Sequence, residues 1–126
     1  MIVVVTAAVI ERGGRYLVTR RQQGVHLEGF WEFPGGKCEP DESLTECLRR
    51  ELVEELGADA AVGEEVFTIT HHYPERSVEL HFLACRLTAE PFPRLGQEMR
   101  WVAPDELSAL AFPPADRALI ERLTRA

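Results

Sequence analysis

The sequence predicts an α/β sandwich in which a mixed β-sheet lies between helices. Segments with strand character and segments with helix character alternate along the chain instead of forming separate blocks. One helix is strongly marked and carries a leucine stripe that a sheet has to cover. The 126 residues, 45% of them hydrophobic, can bury one core without help from disulfides or a structural metal. We therefore expect a single domain over residues 1–126.

The first elements are two strands over residues 2–10 and 15–20. β-Branched residues occur in both segments, and Gly13 and Gly14 between them are typical of a hairpin turn. A loop over residues 22–29 follows. Beyond an aromatic stretch, Pro34-Gly35-Gly36 is expected to end regular structure and to leave backbone amides and carbonyls accessible. This segment is therefore a candidate binding edge.

The next element is the most clearly marked helix of the chain. Ser43 fits the N-cap, Glu46 three residues later completes a capping box, and Gly57 stands where a C-terminal cap is expected. No Gly or Pro interrupts the segment between the caps. Its apolar stripe, which we expect to face the sheet, consists of Leu44, Leu48, Leu52 and Leu56.

The second half of the chain predicts another hairpin and two helices. Residues 66–73 and 77–87 are rich in β-branched and aromatic side chains and are separated by the turn Pro74-Glu75-Arg76. The remaining elements are a short strand at residues 100–103, a helical turn from Pro104, and an amphipathic helix from Pro113 to about residue 123.

Charge and composition exclude several functions. The formal net charge of −7 argues against polymeric nucleic acid as a partner, because such binding needs clustered Lys and Arg. An acidic protein can still bind a small polyphosphate when a divalent cation lies between carboxylate and phosphate. The apolar segment at the start is too short to span a bilayer, so no membrane association is expected, and no obligate protein partner is apparent.

The cysteines predict no disulfide. Cys38, Cys47 and Cys85 are odd in number and show no C-x-x-C spacing, which argues against a disulfide framework and against a zinc site. We therefore expect a protein of the reducing cytoplasm.

Glu51, Glu54 and Glu55 form the candidate metal site. Their i, i+3 and i+4 spacing on the marked helix places three carboxylates on one sector of its surface. The alternative is an acidic face that is simply solvated. Because like charges repel, grouping them favours a bound cation, and an all-oxygen ligand set suits Mg²⁺, with Mn²⁺ as a substitute.

The segment around these acids resembles the Nudix box, G-x5-E-x7-R-E-U-x-E-E-x-G-U, where U is aliphatic. All seven fixed letters match between Gly36 and Gly57, and only Ala58 departs, as a smaller residue than the usual Ile, Leu or Val. The flanking segments 31–35 and 111–116 are similar to the MutT-like branch of the family, whose members sanitise the nucleotide pool. The resemblance implies a Nudix-type α/β/α sandwich.

The resemblance also implies roles for the residues of the box. Metal ligands would be Glu51, Glu54 and Glu55 together with the backbone carbonyl of Gly35. Arg50 would orient the glutamates, and Glu42 would pair with Arg50. Gly36 and Gly57 would be structural glycines of the box. By the same resemblance, substrate-binding residues would be Arg21, His26, Phe33 and Asp116. His26 is also consistent with an ordinary loop histidine, and Asp116 with an acid favoured at a helix N-terminus by the helix dipole.

Two further sets of residues leave alternatives open. Glu98, in the loop before the last strand, is a candidate general base or extra metal ligand, but relatives often carry a Glu where this chain has Leu95, so a solvated loop acid is equally consistent. His71, His72 and His81 have no ligand-like spacing and are interpreted as surface or satisfied polar groups.

The resulting hypothesis is a Mg²⁺-dependent pyrophosphohydrolase that converts nucleoside triphosphates such as 8-oxo-dGTP or dGTP to the monophosphate and pyrophosphate. The alternatives within the family are substrates of the (d)CTP or ADP-ribose type; Pro74 lies near a proline of some ADP-ribose-cleaving relatives but is also explained as a turn residue. A catalytically silent nucleotide sensor is the alternative of another class, and the complete set of acids argues against it.

Overall fold

The computed structural model describes residues 1–125 and confirms the α/β class with a mixed sheet. Its strands are β1 (Ile2–Arg12), β2 (Arg15–Arg20), β3 (Trp31–Glu32), β4 (Gly35–Lys37), β5 (Ala60–His72), β6 (Ser77–Leu87) and β7 (Met99–Val102). Its helices are α1 (Leu44–Leu56), α2 (Pro104–Leu107) and α3 (Arg117–Thr124), the last preceded by a 3₁₀ turn at Pro114–Asp116.

The sheet is built around β1. Its main path runs β3-β2-β1-β6-β5, with β4 also paired to β1 and β7 to β2. β1 and β6 run parallel from Ile2 opposite Ser77 to Ile10 opposite Cys85, and the other pairs are antiparallel. Both parallel and antiparallel pairing is what the predicted mixed sheet requires.

Hydrophobic clusters cover both faces of the sheet. On one face, the leucines of α1 pack with Ala8, Ile10 and Leu17, and Leu48, Leu52 and Leu56 are fully buried. On the other face, Phe82 and Val18 pack with Leu107 of α2 and Leu119 of α3. The helices therefore form the two outer layers of the predicted sandwich.

Helix α1 has the predicted caps. The Ser43 hydroxyl accepts from the backbone N–H of Glu46 at 3.1 Å, and the Glu46 carboxylate accepts from the N–H of Ser43 at 2.9 Å. Gly57 ends the helix in the left-handed conformation with φ 63°, which glycine adopts without steric cost.

The segment before β7 holds the C-terminal end of α1. Phe92 N–H donates to the carbonyl of Leu56 at 3.0 Å, and Arg94 N–H donates to that of Glu55 at 3.0 Å. The Gln97 side chain donates to the Glu55 carbonyl at 3.0 Å and accepts from Leu95 N–H at 2.9 Å. Carbonyls that a helix end leaves without partners are satisfied here by a distant loop, which fixes the position of Glu55.

Two predictions about strands are wrong in detail. The segment Pro34-Gly35-Gly36 does not end regular structure, since β4 pairs with the middle of β1, Thr6 opposite Gly36. β5 begins at Ala60, six residues before the predicted start at residue 66, and it follows β6 through two register shifts between Val62 and Phe67. Pairing with a buried neighbour outweighs the weak strand propensity of these Gly- and Glu-containing segments.

The expectation that no disulfide forms is also wrong. Cys38 and Cys47 are joined by a disulfide, with their Cα atoms 5.2 Å apart, whereas Cys85 is a free, buried thiol. Nine residues separate the two cysteines in sequence, and the pairing depends on β4 lying beside α1, which spacing alone does not reveal.

Among residues 1–125, none of the helices has the length and apolar character that crossing a membrane would require.

Candidate active site

The candidate metal site lies where α1 faces β4. A Cβ atom placed on Gly36 would lie 2.5 Å from the carboxyl carbon of Glu51, so any larger residue there would displace this carboxylate. The neighbouring Gly35 N–H donates to the Glu55 carboxylate at 3.2 Å. Two of the three predicted acidic ligands therefore touch the backbone of the strand that contains the predicted carbonyl ligand.

Arg50 connects the acids to one another. Its Nε and Nη2 donate to the two carboxylate oxygens of Glu42 at 2.6 and 2.8 Å, a bidentate pair. Its Nη1 lies 3.0 Å from Glu51 Oε1 and 3.3 Å from Glu54 Oε2. A second donation from Nη2 reaches the carbonyl of Lys37 at 3.1 Å. The guanidinium thus orients Glu51 and Glu54 and ties β4 to the helix.

The charge states of these groups follow from their surroundings. Hydrogen bonds from Arg50 hold the pKa of Glu42 down to about 2, so Glu42 stays ionised. Burial raises the pKa of Glu51, although Arg50 opposes the shift. Burial, followed by repulsion from Glu32 and Glu51, raises the pKa of Glu55 to about 8. A half-buried group of acids that resists ionisation is an environment that a cation would stabilise.

The donor set suits a hard divalent cation. Carboxylate oxygens with a nearby backbone carbonyl are the ligands that Mg²⁺ and Mn²⁺ take, and Glu54, 58% exposed at its side chain, can move toward an ion. Within residues 1–125, no three His, Cys, Asp or Glu side chains already converge as a ligand set. Binding would therefore draw the three carboxylates together.

Glu32 is a site residue for which the sequence predicted no role. It lies on β3 opposite Thr19, its side chain is 26% exposed, and Arg21 Nη1 donates to it at 2.8 Å. Burial raises its pKa, and the Arg21 cation partly offsets the shift. Because Glu32 repels both Glu55 and Asp116, it links the metal site to a neighbouring cavity. The alternation of side chains along a strand does not predict that Glu32 lies beside the metal site.

That cavity has a volume of about 470 Å³ and opens beside the candidate metal site. It combines apolar walls with polar groups, as nucleotide pockets do. The predicted substrate residues Arg21, His26, Phe33 and Asp116 all line it, as do His71, Tyr73 and Arg76 of the β5–β6 hairpin, which the sequence interpretation left out. The rings of His71 and Tyr73 lie 4.5 Å apart.

Phe33 and Asp116 form the inner part of the cavity. Phe33 is 3% exposed, and its ring packs edge-on against Phe82 at 5.9 Å. Asp116 is 6% exposed and stands at the N-cap of α3, where its side chain makes no capping hydrogen bond. Burial, and then repulsion from Glu32, raises the Asp116 pKa to about 7.

Arg21 also shapes the loop over residues 22–29. Its Nε donates to the carbonyl of His26, while its Nη1 binds Glu32. Leu27, next in the chain, has φ 59°, and no other non-glycine among residues 1–125 has a positive φ. The loop is therefore held in a defined conformation at the mouth of the cavity, with Arg21 partly exposed between the cavity and the acids.

Glu98 pairs with two arginines outside α1. Its carboxylate binds Arg20 Nη1 at 2.9 Å and approaches Arg100 Nη2 at 3.7 Å. A small cavity of about 150 Å³ next to Glu55 is lined by Leu95 and Gln97 rather than by Glu98. The hydroxyl of Thr19 in the same wall is buried and has no hydrogen-bond partner among the described residues. The geometry thus leaves Glu98 paired at the surface.

The remaining histidines do not form a zinc site. His81 contacts the carboxylates of Glu65 and Glu79 with its two ring nitrogens, which point away from each other. Burial alone would lower its pKa, but the two carboxylate partners outweigh burial and raise it. His72 pairs with Ser77 at 2.8 Å. Both histidines are satisfied polar groups, as the sequence interpretation predicts.

The comparisons with known proteins agree with this geometry. The family model described as "NUDIX domain" matches residues 5–122. The chain is 39% identical over 122 residues to a CTP pyrophosphohydrolase of Escherichia coli, covering 93% of this chain and 87% of that protein. It is 38% identical over 124 residues to an 8-oxo-dGTP diphosphatase of Haemophilus influenzae, covering 97% and 91%. The crystal structure of a MutT protein from Methanosarcina mazei superimposes with a TM-score of 0.86 at 27% identity, covering 98% and 94%.

Proposed function

This chain belongs to the Nudix hydrolase family, in its MutT-like branch, and from that membership we propose that it hydrolyses nucleoside triphosphates to the monophosphate and pyrophosphate. Guanine nucleotides such as 8-oxo-dGTP or dGTP are the proposed substrates, and cytosine nucleotides are the second candidate. Nudix hydrolases generally use a divalent metal; we propose Mg²⁺, with Mn²⁺ as a substitute.

The observation that carries the proposal is that two of the acids contact the strand that lines a nucleotide-sized cavity. Glu51 and Glu55 touch β4, and Gly35 and Gly36 of this strand line the cavity that also contains Asp116. A nucleotide whose base lies near Asp116 would therefore extend its phosphates toward the glutamates. A sensor would need the cavity but not the complete acidic set, which favours an enzyme.

Several side chains are proposed to have separate roles in hydrolysis. A bound cation would neutralise the polyphosphate and make water easier to deprotonate. Arg50 holds Glu51 and Glu54 in place, and Glu42 fixes Arg50 from the other side. Arg21, partly exposed between the acids and the cavity, is proposed to bind a phosphate, with His26 beside it. The water oxygen bonds to phosphorus as the pyrophosphate leaves, and the released proton passes to a carboxylate or to bulk water.

The rest of the proposal concerns the setting of the reaction. We propose that residues 1–126 act as one functional domain on a small soluble nucleotide in the cytoplasm, without a polymeric nucleic acid, a membrane or an obligate protein partner. The net charge of −7 supports the exclusion of polymeric nucleic acid. ADP-ribose has no support from Pro74, which lies in the β5–β6 turn.

Removing divalent metal tests the proposed function. EDTA should abolish release of pyrophosphate from dGTP and from 8-oxo-dGTP, because the clustered carboxylates otherwise repel both one another and the phosphates. Adding Mg²⁺ or Mn²⁺ in excess should restore turnover. Turnover that persists in EDTA would exclude the mechanism, and nucleotide binding without hydrolysis in Mg²⁺ would indicate the sensor.

The charge of Asp116 should set the preferred base. An ionised carboxylate only accepts hydrogen bonds, which suits the N1–H and N2–H₂ donors of guanine. A protonated carboxyl donates one bond and accepts another, which suits N3 and N4–H₂ of cytosine. With a pKa of about 7, Asp116 is mainly protonated below neutral pH and mainly ionised above it. The kcat/KM for dGTP relative to dCTP should therefore rise as pH increases through 7.

Variants of Asp116 make this prediction specific. Asp116→Asn, which cannot ionise, should remove the pH dependence of the dGTP to dCTP ratio. Asp116→Ala should lower kcat/KM for the preferred base by about 10-fold or more and barely affect the poorest substrate. A uniform loss across all bases would leave base selection to other residues of the cavity. dGTP is the better probe here, since 8-oxoguanine adds an N7–H donor on a second edge.

Replacing Glu98 separates its two roles. As a general base, Glu98→Gln should lower kcat and remove the acidic limb of the pH–rate profile. The pairing of Glu98 with Arg20 at the surface instead favours an unchanged pH–rate profile in Glu98→Gln. The matched variant Arg20→Gln should then also leave the profile unchanged. Loss of the acidic limb in Glu98→Gln alone would return Glu98 to the catalytic set.

A further inference from the structure

The Cys38–Cys47 disulfide joins the two walls of the candidate metal site. Cys38 directly follows β4, and its N–H donates to the carbonyl of Val4 in β1 at 2.9 Å, so it is anchored in the sheet. Cys47 lies on α1 one turn before Glu51 and is fully buried. The bond therefore connects the strand of Gly35 to the helix of the acidic ligands.

Besides the hydrogen bond from Gly35 N–H to Glu55, the contact between the two walls that lies next to the disulfide is made by Arg50. Its guanidinium reaches the carbonyl of Lys37, next to Cys38, at 3.1 Å. A guanidinium donating a single bond to a carbonyl limits separation less strictly than a covalent bond does. Because Glu51 is packed against Gly36, a small increase in the distance between the walls would change the position of its carboxylate.

The two sulfurs differ in accessibility. Cys38 is half-buried and lines an open groove of about 570 Å³ with Met1, Glu39 and Pro40, whereas Cys47 is buried under it next to the Thr6 hydroxyl, 3.3 Å from its sulfur. A small peroxide or the thiolate of a reductant can therefore reach Cys38 from the groove. A single entry point with a resolving partner at bonding distance is the usual arrangement of a redox-active pair.

We propose that Cys38 and Cys47 form a reversible thiol–disulfide switch in which the oxidised form holds the metal site in its binding geometry and the reduced form relaxes it. The inference rests on the proposed function, because it concerns regulation of the same site. Under the proposed function, the oxidants that damage nucleotides would also hold the enzyme in the form that binds metal more tightly.

The chemistry balances with a hydroperoxide as oxidant. The Cys38 thiolate attacks one peroxide oxygen, the O–O bond breaks, and a sulfenic acid and water form. The Cys47 thiolate then attacks the sulfenic sulfur, the S–O bond breaks, and a second water leaves. Two thiols and one hydrogen peroxide thus give one disulfide and two waters. A dithiol protein of the C-x-x-C class reverses the step by attack on Cys38, and it becomes a disulfide itself.

The experiment compares the intact protein in its two redox states. After treatment of the folded protein with hydrogen peroxide or with a dithiol, thiols counted under denaturing conditions should number one and three, because Cys85 is free in both states. The oxidised form should bind Mn²⁺ about 3-fold more tightly or better, since its ligand walls are preorganised. Its thermal midpoint in EDTA should be higher by about 5 °C.

Variants and alternative outcomes make the test decisive. Cys38→Ser should match the reduced form and no longer respond to peroxide, while Cys85→Ala should switch like the wild type. If the oxidised form has a raised thermal midpoint but the same Mn²⁺ affinity as the reduced form, the disulfide only stabilises the fold and the switch is overturned. The switch is also overturned if a dithiol cannot reduce the disulfide in the folded protein. If neither form hydrolyses any nucleotide, the proposed function fails, and the Mn²⁺ affinities still decide the switch.

Discussion

Replacing Glu54 with Gln should lower kcat by a factor of about 10² or more while the protein stays folded. Gln keeps the shape of the side chain but removes the charge, and Glu54, 58% exposed, has no packing role for stability to depend on. Its known contact is Arg50 at 3.3 Å, which retains Glu42 and Glu51 as partners in the variant. The loss should therefore reflect the metal site and not the fold.

The measurement is steady-state hydrolysis of dGTP at saturating Mg²⁺, together with a thermal midpoint for each protein. Glu121→Gln removes the same charge from an exposed position on α3 and should keep the wild-type rate. A near-wild-type rate for Glu54→Gln would show that the proposed ligand set is wrong. Equal losses in both variants would point to long-range electrostatics instead.

Replacing Leu56 with Ala should lower the free energy of unfolding by about 2 to 5 kcal/mol. Leu56 is completely buried in the cluster between α1 and the sheet, and the shortened side chain would leave a cavity that this close-packed layer cannot fill. Such a loss is a large share of the stability of an ordinary domain. The intrinsic kcat, measured well below the unfolding midpoint, should change little because the Leu56 side chain packs in the core beside the acids and takes no part in their hydrogen bonds.

Val53→Ala is the matched control on the same helix. Val53 is 41% exposed, so its truncation should change the free energy of unfolding by about 0.5 kcal/mol or less. Urea denaturation of both variants gives the comparison. A loss of rate at full stability in Leu56→Ala would mean that the faces of α1 are assigned the wrong way round.

Local signals explain what could be predicted from the sequence. The caps of α1 at Ser43 and Gly57 and its leucine stripe all act within a few residues, and the structure reproduces each of them. The spacing of the three glutamates likewise follows from helical periodicity. The family motif then supplied roles that no periodicity could supply, such as the pairing of Glu42 with Arg50.

Features that depend on distant pairing could not be predicted. β4 is a strand only because β1 offers it a partner, and the disulfide exists only because β4 lies beside α1. The place of Tyr73 and Arg76 in the cavity wall depends on the β5–β6 hairpin reaching over the start of β1. The charge environment of Glu32, set by its burial, its ion pair with Arg21 and repulsion from Glu51 of α1, likewise depends on segments far apart in the chain.

The parallel pairing of β1 with β6 has a consequence for how the molecule folds. Ile2 pairs with Ser77 and Ile10 with Cys85, so the strand at the start of the chain is completed only by one far along it. Contacts between such distant segments slow folding, because the intervening chain must be ordered before the pairing stabilises it. During synthesis, β1 would have to wait until β6 leaves the ribosome. A ribosome-bound fragment ending before β6 would therefore expose an apolar edge of β1 without its partner strand.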